Sequence, residues 1–411
     1  MRPYDVAVIG AGIIGLATAR ALLMRRDGLR LAVVEKEPRI SAGQTGHNSG
    51  VIHSGLYHLP GTLRAGLSSR GAAALYRFCE EQDIPTERCG KVIVATSEEE
   101  RPRLRQFYHR GLANGVKGLE IIGPERLREL EPHCRGVEAL WSPHTGIVDF
   151  ARVAHALARD VRNAGGEIQT GNEVKSIKTT SDGIVLGTTD REAECRYVIS
   201  CAGIDAAGVA AMNGGDREPR IMPMRGEYWR LRPQASHLCR NLIYPVPDPA
   251  YPFLGVHFSR HIGSDEVWLG PDAAPALARE AFRPSTRVRP RDAWRSFRST
   301  GLPRLASRNP RRNALEVWRD FSKRPFLRAA HLFMPELSAQ DLLPAPPAVR
   351  AQAVDANGRP IEDFVLEVTG ERVLHVRNAP SPAATACLAI AELIASRAEE
   401  VFWQGRRNRL H

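Results

Sequence analysis

Nowhere in its 411 residues does the chain have an uninterrupted apolar run approaching the roughly 18–20 residues that span a bilayer, so no transmembrane anchor is expected. Its seven cysteines, at 79, 89, 134, 195, 201, 239 and 387, are odd in number and include no CxxC pair. No histidine cluster has metal-ligand spacing either, so neither a disulfide framework nor a metal site is expected. The cysteines read as reduced thiols, mostly small core residues. Internal repeats and low-complexity tracts are absent too, which excludes solenoids and disordered arrays. The first strand begins at Tyr4 and leaves no room for a cleavable leader, so the cytoplasm is the expected compartment.

What is present is globular. Hydrophobic residues make up 43% and charged residues 25%, enough to bury a large core, and the length points to two domains built from interleaved segments. The pattern predicts an α/β fold, α+β overall: a Rossmann-like domain joined to an antiparallel-sheet domain with a helical cap. Tyr4 to Ile9 reads as a strand, Ile13 to Arg26 as a buried helix and Leu31 to Glu35 as a second strand, which together make a parallel crossover unit. A loop rich in Gly, Ser, Asn and His follows from Ser41 to Ser54, then one or two helices over Leu63 to Gln82. Phe150 to Ala164 is predicted helical, followed by a strand near Glu173 to Lys178, a hairpin at Ser181-Asp182-Gly183 and a strand from Tyr197 to Cys201. Short proline-punctuated strands start at Arg220. A hairpin over Arg350 to Glu367 leads to the last strand and helix, Leu374 to Glu399.

The strongest motif is Gly10-Ala-Gly12-Ile-Ile14-Gly15, between the first strand and the first helix, with Glu35 closing the next strand. Gly10 permits the tight turn, Gly12 lets backbone approach a pyrophosphate, and Gly15 lets helix and strand pack closely. Helix-terminal N–H groups suit the phosphates, and Glu35 suits a ribose. Bare glycine triplets also mark ordinary turns; the flanking strand, helix and spaced acid set this one apart. It does not separate FAD from NAD. Two later features favour a flavin wrapped by distant segments: the strand ending at Ala202-Gly203, and Val174, whose main chain is placed to meet the adenine.

At His47-Asn-Ser-Gly-Val-Ile-His-Ser-Gly-Leu-Tyr57 the chain resembles the glycine oxidase, D-amino-acid oxidase and glycerol-3-phosphate dehydrogenase superfamily of flavoproteins. Within it, the L-2-hydroxyglutarate dehydrogenases and oxidases are most similar. That closer likeness rests on Arg225-Gly-Glu-Tyr-Trp229, Tyr244-Pro-Val-Pro-Asp-Pro249, Pro252-Phe-Leu-Gly-Val-His-Phe258, Val349-Arg-Ala-Gln-Ala353 and Val376-Arg-Asn-Ala-Pro-Ser-Pro-Ala-Ala-Thr385. His58 departs from the family pattern, which has tyrosine there, and Thr62 and Arg64 vary beside it. The resemblance implies FAD as cofactor, a 2-hydroxy acid as substrate, and an FAD domain made of three segments (1–82, 149–216 and 344–400). Substrate-domain segments at 83–148 and 217–343 alternate with these, and a basic tail covers 401–411.

Oxidising a 2-hydroxy acid needs a base for the hydroxyl proton, an acceptor for the hydride and cations for the carboxylates. His53 is the expected base, because imidazole accepts a proton near neutrality; the alternative is a histidine that only braces the flavin or its loop. Arg350 is the expected carboxylate fork, against a surface hairpin arginine. Tyr228, Tyr244 and His257 are pocket candidates, with His257 sharing acid–base work or facing the distal carboxylate; each is also plausible as a core-facing side chain. Arg225 is a second carboxylate candidate. The remaining cofactor contacts implied are Ile14, Lys36, Thr45, Asn48, Ser49, Gly50, Ser381, Ala383, Ala384 and Thr385. An amine or amino-acid oxidase like glycine oxidase is the nearest rival reading, and a non-catalytic flavin protein that docks on membranes is another.

The net charge of +11 is local: thirteen arginines and one lysine between Arg283 and His331 face only Asp292, Glu316 and Asp320. Trp294, Phe297, Trp318, Phe321 and Phe326 interleave with them. That mixture suits an anionic lipid surface on the inner face of the membrane, with quinone as electron acceptor, but the plainer reading is a solvated helical lid with its aromatics in the core. No nucleic-acid motif accompanies it.

Overall fold

A computed structural model of the chain describes residues 3–216, 218–247, 255–275 and 323–404. The arginine-rich helices expected over 288–335 fall outside the described residues as far as 322, as do the basic tail from 405 and parts of two motifs (248–249 and 252–254). Among the segment's aromatics only Phe326 is described; it is buried on the helix Lys323–Ala330, its ring 6.5 Å from that of Trp229.

Two large sheets carry the architecture. In the first, the order is β10 (Val174–Thr179), β11 (Ile184–Thr188), β12 (Glu192–Ser200), β1 (Tyr4–Ile9), β2 (Leu31–Val34) and β9 (Glu167–Gln169). β12 is long enough to serve two partners along one edge. Its first half pairs antiparallel with β11, and its last residues, 198–200, pair parallel with β19 (Val373–Asn378), which in turn pairs with β18 (Val365–Thr369). The β1–β2, β2–β9 and β1–β12 pairings are parallel, as the crossover unit requires. β1 and β2 are near-continuous apolar runs because helices cover the sheet. The helix Ile13–Arg25 packs against Phe150–Asn163 and Cys387–Glu399 in one core. Phe150–Asn163 is amphipathic, with Phe150, Val153, Ala154, Leu157 and Val161 buried at helical spacing, and the Asp149 carboxylate caps its start by accepting from the Ala151 N–H at 2.8 Å.

The second sheet runs β17 (Leu342–Val354), β13 (Arg220–Leu231), β16 (Val267–Pro275), β15 (His257–Arg260), β14 (Leu242–Pro245), β5 (Lys91–Ala95), β7 (Glu138–Ser142) and β6 (Glu120–Ile122). A small third sheet joins β3 (Val51–Ile52), β8 (Gly146–Val148) and β4 (Thr86–Glu87).

Two expectations change. The Arg350-to-Glu367 segment is not a hairpin: β17 pairs with β13 and β18 with β19, so the two strands lie in different sheets, and only Val354 bridges to Pro360. β17 also crosses the boundary expected at 344, because it pairs with β13 along its whole length from Leu342 to Val354. Leu63 to Glu81 is one helix, started by Thr62, whose Oγ1 accepts from the Ala65 N–H. No helix among the described residues is long and apolar enough to cross a membrane.

Candidate active site

The glycine turn is dictated by close packing. Gly10 has φ +105°, and a Cβ there would lie 2.6 Å from the Cys201 carbonyl oxygen at the end of β12. A Cβ on Gly15 would meet the Gly10 oxygen at 1.9 Å. Gly12 differs: its nearest neighbour would be Thr45 Oγ1 at 3.4 Å, and it lines a cavity of about 1040 Å³. Thr45 Oγ1 also accepts from the Ile13 N–H at 3.0 Å, holding the flavin loop to the helix start. Glu35 is pinned at the cavity wall because its two oxygens accept from the Ala11 N–H at 2.7 Å and the Glu37 N–H at 2.9 Å.

From this turn the cavity continues past Ile14, Lys36 and Val174, and beside Ala202 and Gly203. Thr45, Asn48 and Ser49 form a polar wall, and Ser381, Ala383, Ala384 and Thr385, of mixed polarity, form another stretch of the lining. Lys36 is paired with Asp205 at 3.0 Å. Asn48 braces its own loop, donating to the Thr45 carbonyl and accepting from the Gly50 N–H. A glycine-cradled turn, a fixed carboxylate and a long cleft form a donor set that fits a dinucleotide. Gly15 and Gly50 do not line the cleft; Gly15 acts through helix–strand packing, and Gly50, at φ +68°, through the loop's turn.

At the far end the second sheet contributes its face. Pleating puts alternate residues on one side, and the register pairs β14 with β15 so that Tyr244 and His257 are neighbours, their rings stacked at 4.0 Å. Tyr228 from β13 and Arg350 from β17 line the same end, and His53 reaches it from the segment after β3. The His53 N–H donates to Thr385 Oγ1, which donates to the Val51 carbonyl, so the last loop ties β3 and His53 in place.

Burial governs the electrostatics. Desolvation, reinforced by Lys91, His58, His257 and Arg350, pulls His53 well below its ordinary value, so its imidazole is neutral. His257 is pushed down to about 3, chiefly by burial. Its Nδ1 lies 2.8 Å from the Gly255 carbonyl, which makes that nitrogen the protonated one and leaves Nε2 as an acceptor. Burial raises Tyr228 to about 12 and lowers Arg350, although a guanidinium keeps its charge there.

Arg225 is a correction. Its guanidinium is ion-paired with Glu227 at 2.8 Å, and it lines neither this cavity nor the one beside it. The neighbouring glycine places it on the strand, but alternation aims it away from the face that carries Tyr228. Lys91 and Tyr57 escaped the sequence reading. Lys91 is wholly buried on β5, two residues from Ile93, the β5 partner of Tyr244, and thus on the face of Tyr244 and His257. The available signal was a lysine opening the apolar run Lys91-Val-Ile-Val-Ala95. The departures from the family pattern are accommodated: the Arg64 Nε–H donates to the Ser381 carbonyl at 2.7 Å, and the His58 carbonyl accepts from Asn114.

A neutral imidazole beside a guanidinium and two tyrosines, at one end of a dinucleotide cleft, can hold a carboxylate and accept a proton from the adjacent carbon's hydroxyl. The family profile "FAD dependent oxidoreductase" matches residues 5–397. The mitochondrial L-2-hydroxyglutarate dehydrogenase of Homo sapiens is 42% identical over 97% of this chain and 89% of its own length. The L-2-hydroxyglutarate dehydrogenase of Indibacter alkaliphilus is 39% identical over 97% of this chain and 100% of its own. In fold, the chain is similar to L-α-glycerophosphate oxidase from Mycoplasma pneumoniae with FAD bound, at a TM-score of 0.79 and 22% identity over 97% of this chain and 95% of that one. Glycine oxidase from Geobacillus kaustophilus aligns at a TM-score of 0.72 and 20% identity over 97% and 95%. The chain belongs to the FAD dependent oxidoreductase family.

Proposed function

We propose that this protein oxidises L-2-hydroxyglutarate to 2-oxoglutarate, the C2 hydrogen leaving as hydride and the hydroxyl hydrogen as a proton. The observation that carries the reading is the convergence of His53 and Arg350 at the end of the dinucleotide cleft, in a chain about 40% identical to L-2-hydroxyglutarate dehydrogenases. When bound, FAD supplies the two-electron acceptor. Arg350 clamps the carboxylate beside C2 through paired N–H donors. His53, neutral at working pH, takes the hydroxyl proton, while Tyr228 and Tyr244 close the pocket against water. Gly10, Gly12, Glu35 and the Thr45 loop hold the dinucleotide, without a covalent link. Acid precipitation is expected to release the yellow colour into the supernatant; colour in the pellet contradicts a noncovalent flavin.

Oxygen or a quinone takes the electrons onward in this reading, and the arginine- and aromatic-rich 283–331 segment docks the cytoplasmic enzyme on the anionic inner face of the membrane. Supporting it are the local charge of that segment and seven free thiols, the chemistry of a reducing compartment. Flotation with anionic but not neutral vesicles is the expected behaviour; flotation with neither overturns the docking.

A screen of L- and D-2-hydroxy acids, glycerol 3-phosphate and amino acids against the oxidised flavoprotein tests the function. Preference for an amino acid, with ammonia released, points to the amine-oxidase reading. A flavin that no compound bleaches points to a docking protein without turnover.

A further inference from the structure

Among the described residues Lys91 is one of the largest fully buried side chains, and its Nζ has no hydrogen-bond partner there. It lies over two aromatic faces, 4.7 Å from the ring centroids of both Tyr57 and Tyr244. Ring quadrupoles attract an ammonium, but they offset only part of the cost of taking it out of water; a buried cation of this kind calls for an anion.

The place where that anion would sit is a second cavity of about 400 Å³. His53 and Arg350 line both this cavity and the dinucleotide cleft, so the reacting end of a substrate held by them stands at the junction, and Lys91 lines the second cavity alone. The other charged groups on that wall are Arg64, Arg110, Glu362 and Asp363. Arg64 donates to the Ser381 and Glu362 carbonyls, and Asp363 accepts from the Arg64 N–H. Arg110 lies over the Phe107 ring.

Resting on the functional reading above, we infer that Lys91 is the specificity-determining ligand of the substrate's distal carboxylate. Arg350 holds the carboxylate next to C2, and the two methylenes beyond C2 carry the C5 carboxylate into the second cavity, where the Lys91 ammonium meets it between the two tyrosine faces. A monocarboxylic 2-hydroxy acid leaves the lysine without its anion. Selection for a dicarboxylate thus comes from a charge that only the right substrate satisfies.

The test compares L-2-hydroxyglutarate with L-2-hydroxypentanoate, which has a methyl in place of the distal carboxylate, on holoenzymes of the wild type, Lys91→Met and Lys91→Arg. In the wild type, kcat/KM is expected to favour the dicarboxylate by about a hundredfold or more. Lys91→Met is expected to lose about that factor on L-2-hydroxyglutarate, mainly in KM, with a change of about threefold or less on L-2-hydroxypentanoate; Lys91→Arg recovers part of the loss. Calorimetric binding of 2-oxoglutarate should weaken in parallel while 2-oxopentanoate binding does not. Equal losses on both substrates, or none on either, overturn the inference, since a lysine that only supports His53 or the fold would not distinguish them. Should Lys91→Met fail to hold flavin, Lys91→Gln is read in its place, and a wild type indifferent to the distal carboxylate overturns the inference by itself. Wild-type flavin reduced by neither acid defeats the functional reading and this inference with it, an outcome distinct from an active wild type whose Lys91 variants keep its preference.

Discussion

The imidazole of His257 stacks on the ring of Tyr244, centroids 4.0 Å apart and planes 22° from parallel, while His53 stands on a different element and lines both cavities. The two histidines are therefore not equivalent. His257 is committed through Nδ1 to a carbonyl and through its face to a tyrosine; His53 is held by its backbone N–H and lines both cavities, which is why we propose it as the base. Replacing His53 by Asn is expected to slow anaerobic flavin reduction by about 10²–10⁴-fold, the range for loss of a general base, and replacing His257 by Asn by much less. Stopped-flow bleaching rates measure both. The reverse order moves the base to His257.

Proton linkage has a definite sign at each group. His53 acts as a base only when neutral, and burial depresses its pKa, so its activity is lost as pH falls through a value below about 6.5 and is flat above it. Lys91, lowered to about 7 by burial, binds an anion only when protonated. Tyr57 and Tyr244 flank it and Cys89 works to hold its charge, while the cavity it lines also carries His53, His58, Arg64, Arg110, Arg350, Glu362 and Asp363. Above pH 7 the KM for L-2-hydroxyglutarate should rise by up to about tenfold per pH unit with kcat little changed, and 2-oxoglutarate binding should draw in a proton. Steady-state profiles and calorimetry in buffers of different ionisation enthalpy read these effects. A flat KM between pH 7 and 9 contradicts the lysine's part.

Two of the motif glycines, Gly15 and Gly12, should fail differently. Gly15→Ala forces a methyl to 1.9 Å from a carbonyl, so it is expected to lower stability by about 1–3 kcal/mol and to disturb the turn. Gly12→Ala meets only Thr45 Oγ1 at 3.4 Å and fills cleft space, so it should fold with a near-normal Tm yet purify with little FAD. Thermal unfolding and flavin content separate the two; a Gly12→Ala protein with full FAD occupancy removes the phosphate bridge from that turn.

Arg350→Lys keeps the charge and loses the planar fork. We expect kcat/KM to fall by about tenfold or more, and Arg350→Ala to fall further, because both oxygens of the carboxylate then lose this donor and its charge. Unchanged kinetics in Arg350→Ala takes Arg350 out of the substrate site.

Much of the cofactor half was legible in sequence because its constraints are local: the turn after β1 needs glycines within six residues, and β1, β2 and the helix between them follow from an unbroken apolar run and helical spacing. Long-range pairing was less visible. β17 looks like half of a hairpin with β18, yet its thirteen residues find a better-matched partner in β13, over a hundred residues earlier. The third sheet is built of strands of two and three residues, too short for any period to register. The site shows the same division. His53 and Arg350 stand in recognisable strings, whereas the lysine that opens the apolar run of β5 gains a place in the site only once β5 lies beside β14, and the Arg225–Glu227 pair needs the strand's facing to be known.

Oxidation of L-2-hydroxyglutarate at this site is decided by mixing the purified flavoprotein with one equivalent of the acid in the absence of oxygen and following flavin absorbance together with product. The expected result is a bleached flavin and one 2-oxoglutarate formed for each flavin reduced. A flavin that stays oxidised with this acid, or bleaches with no 2-oxoglutarate formed, contradicts it.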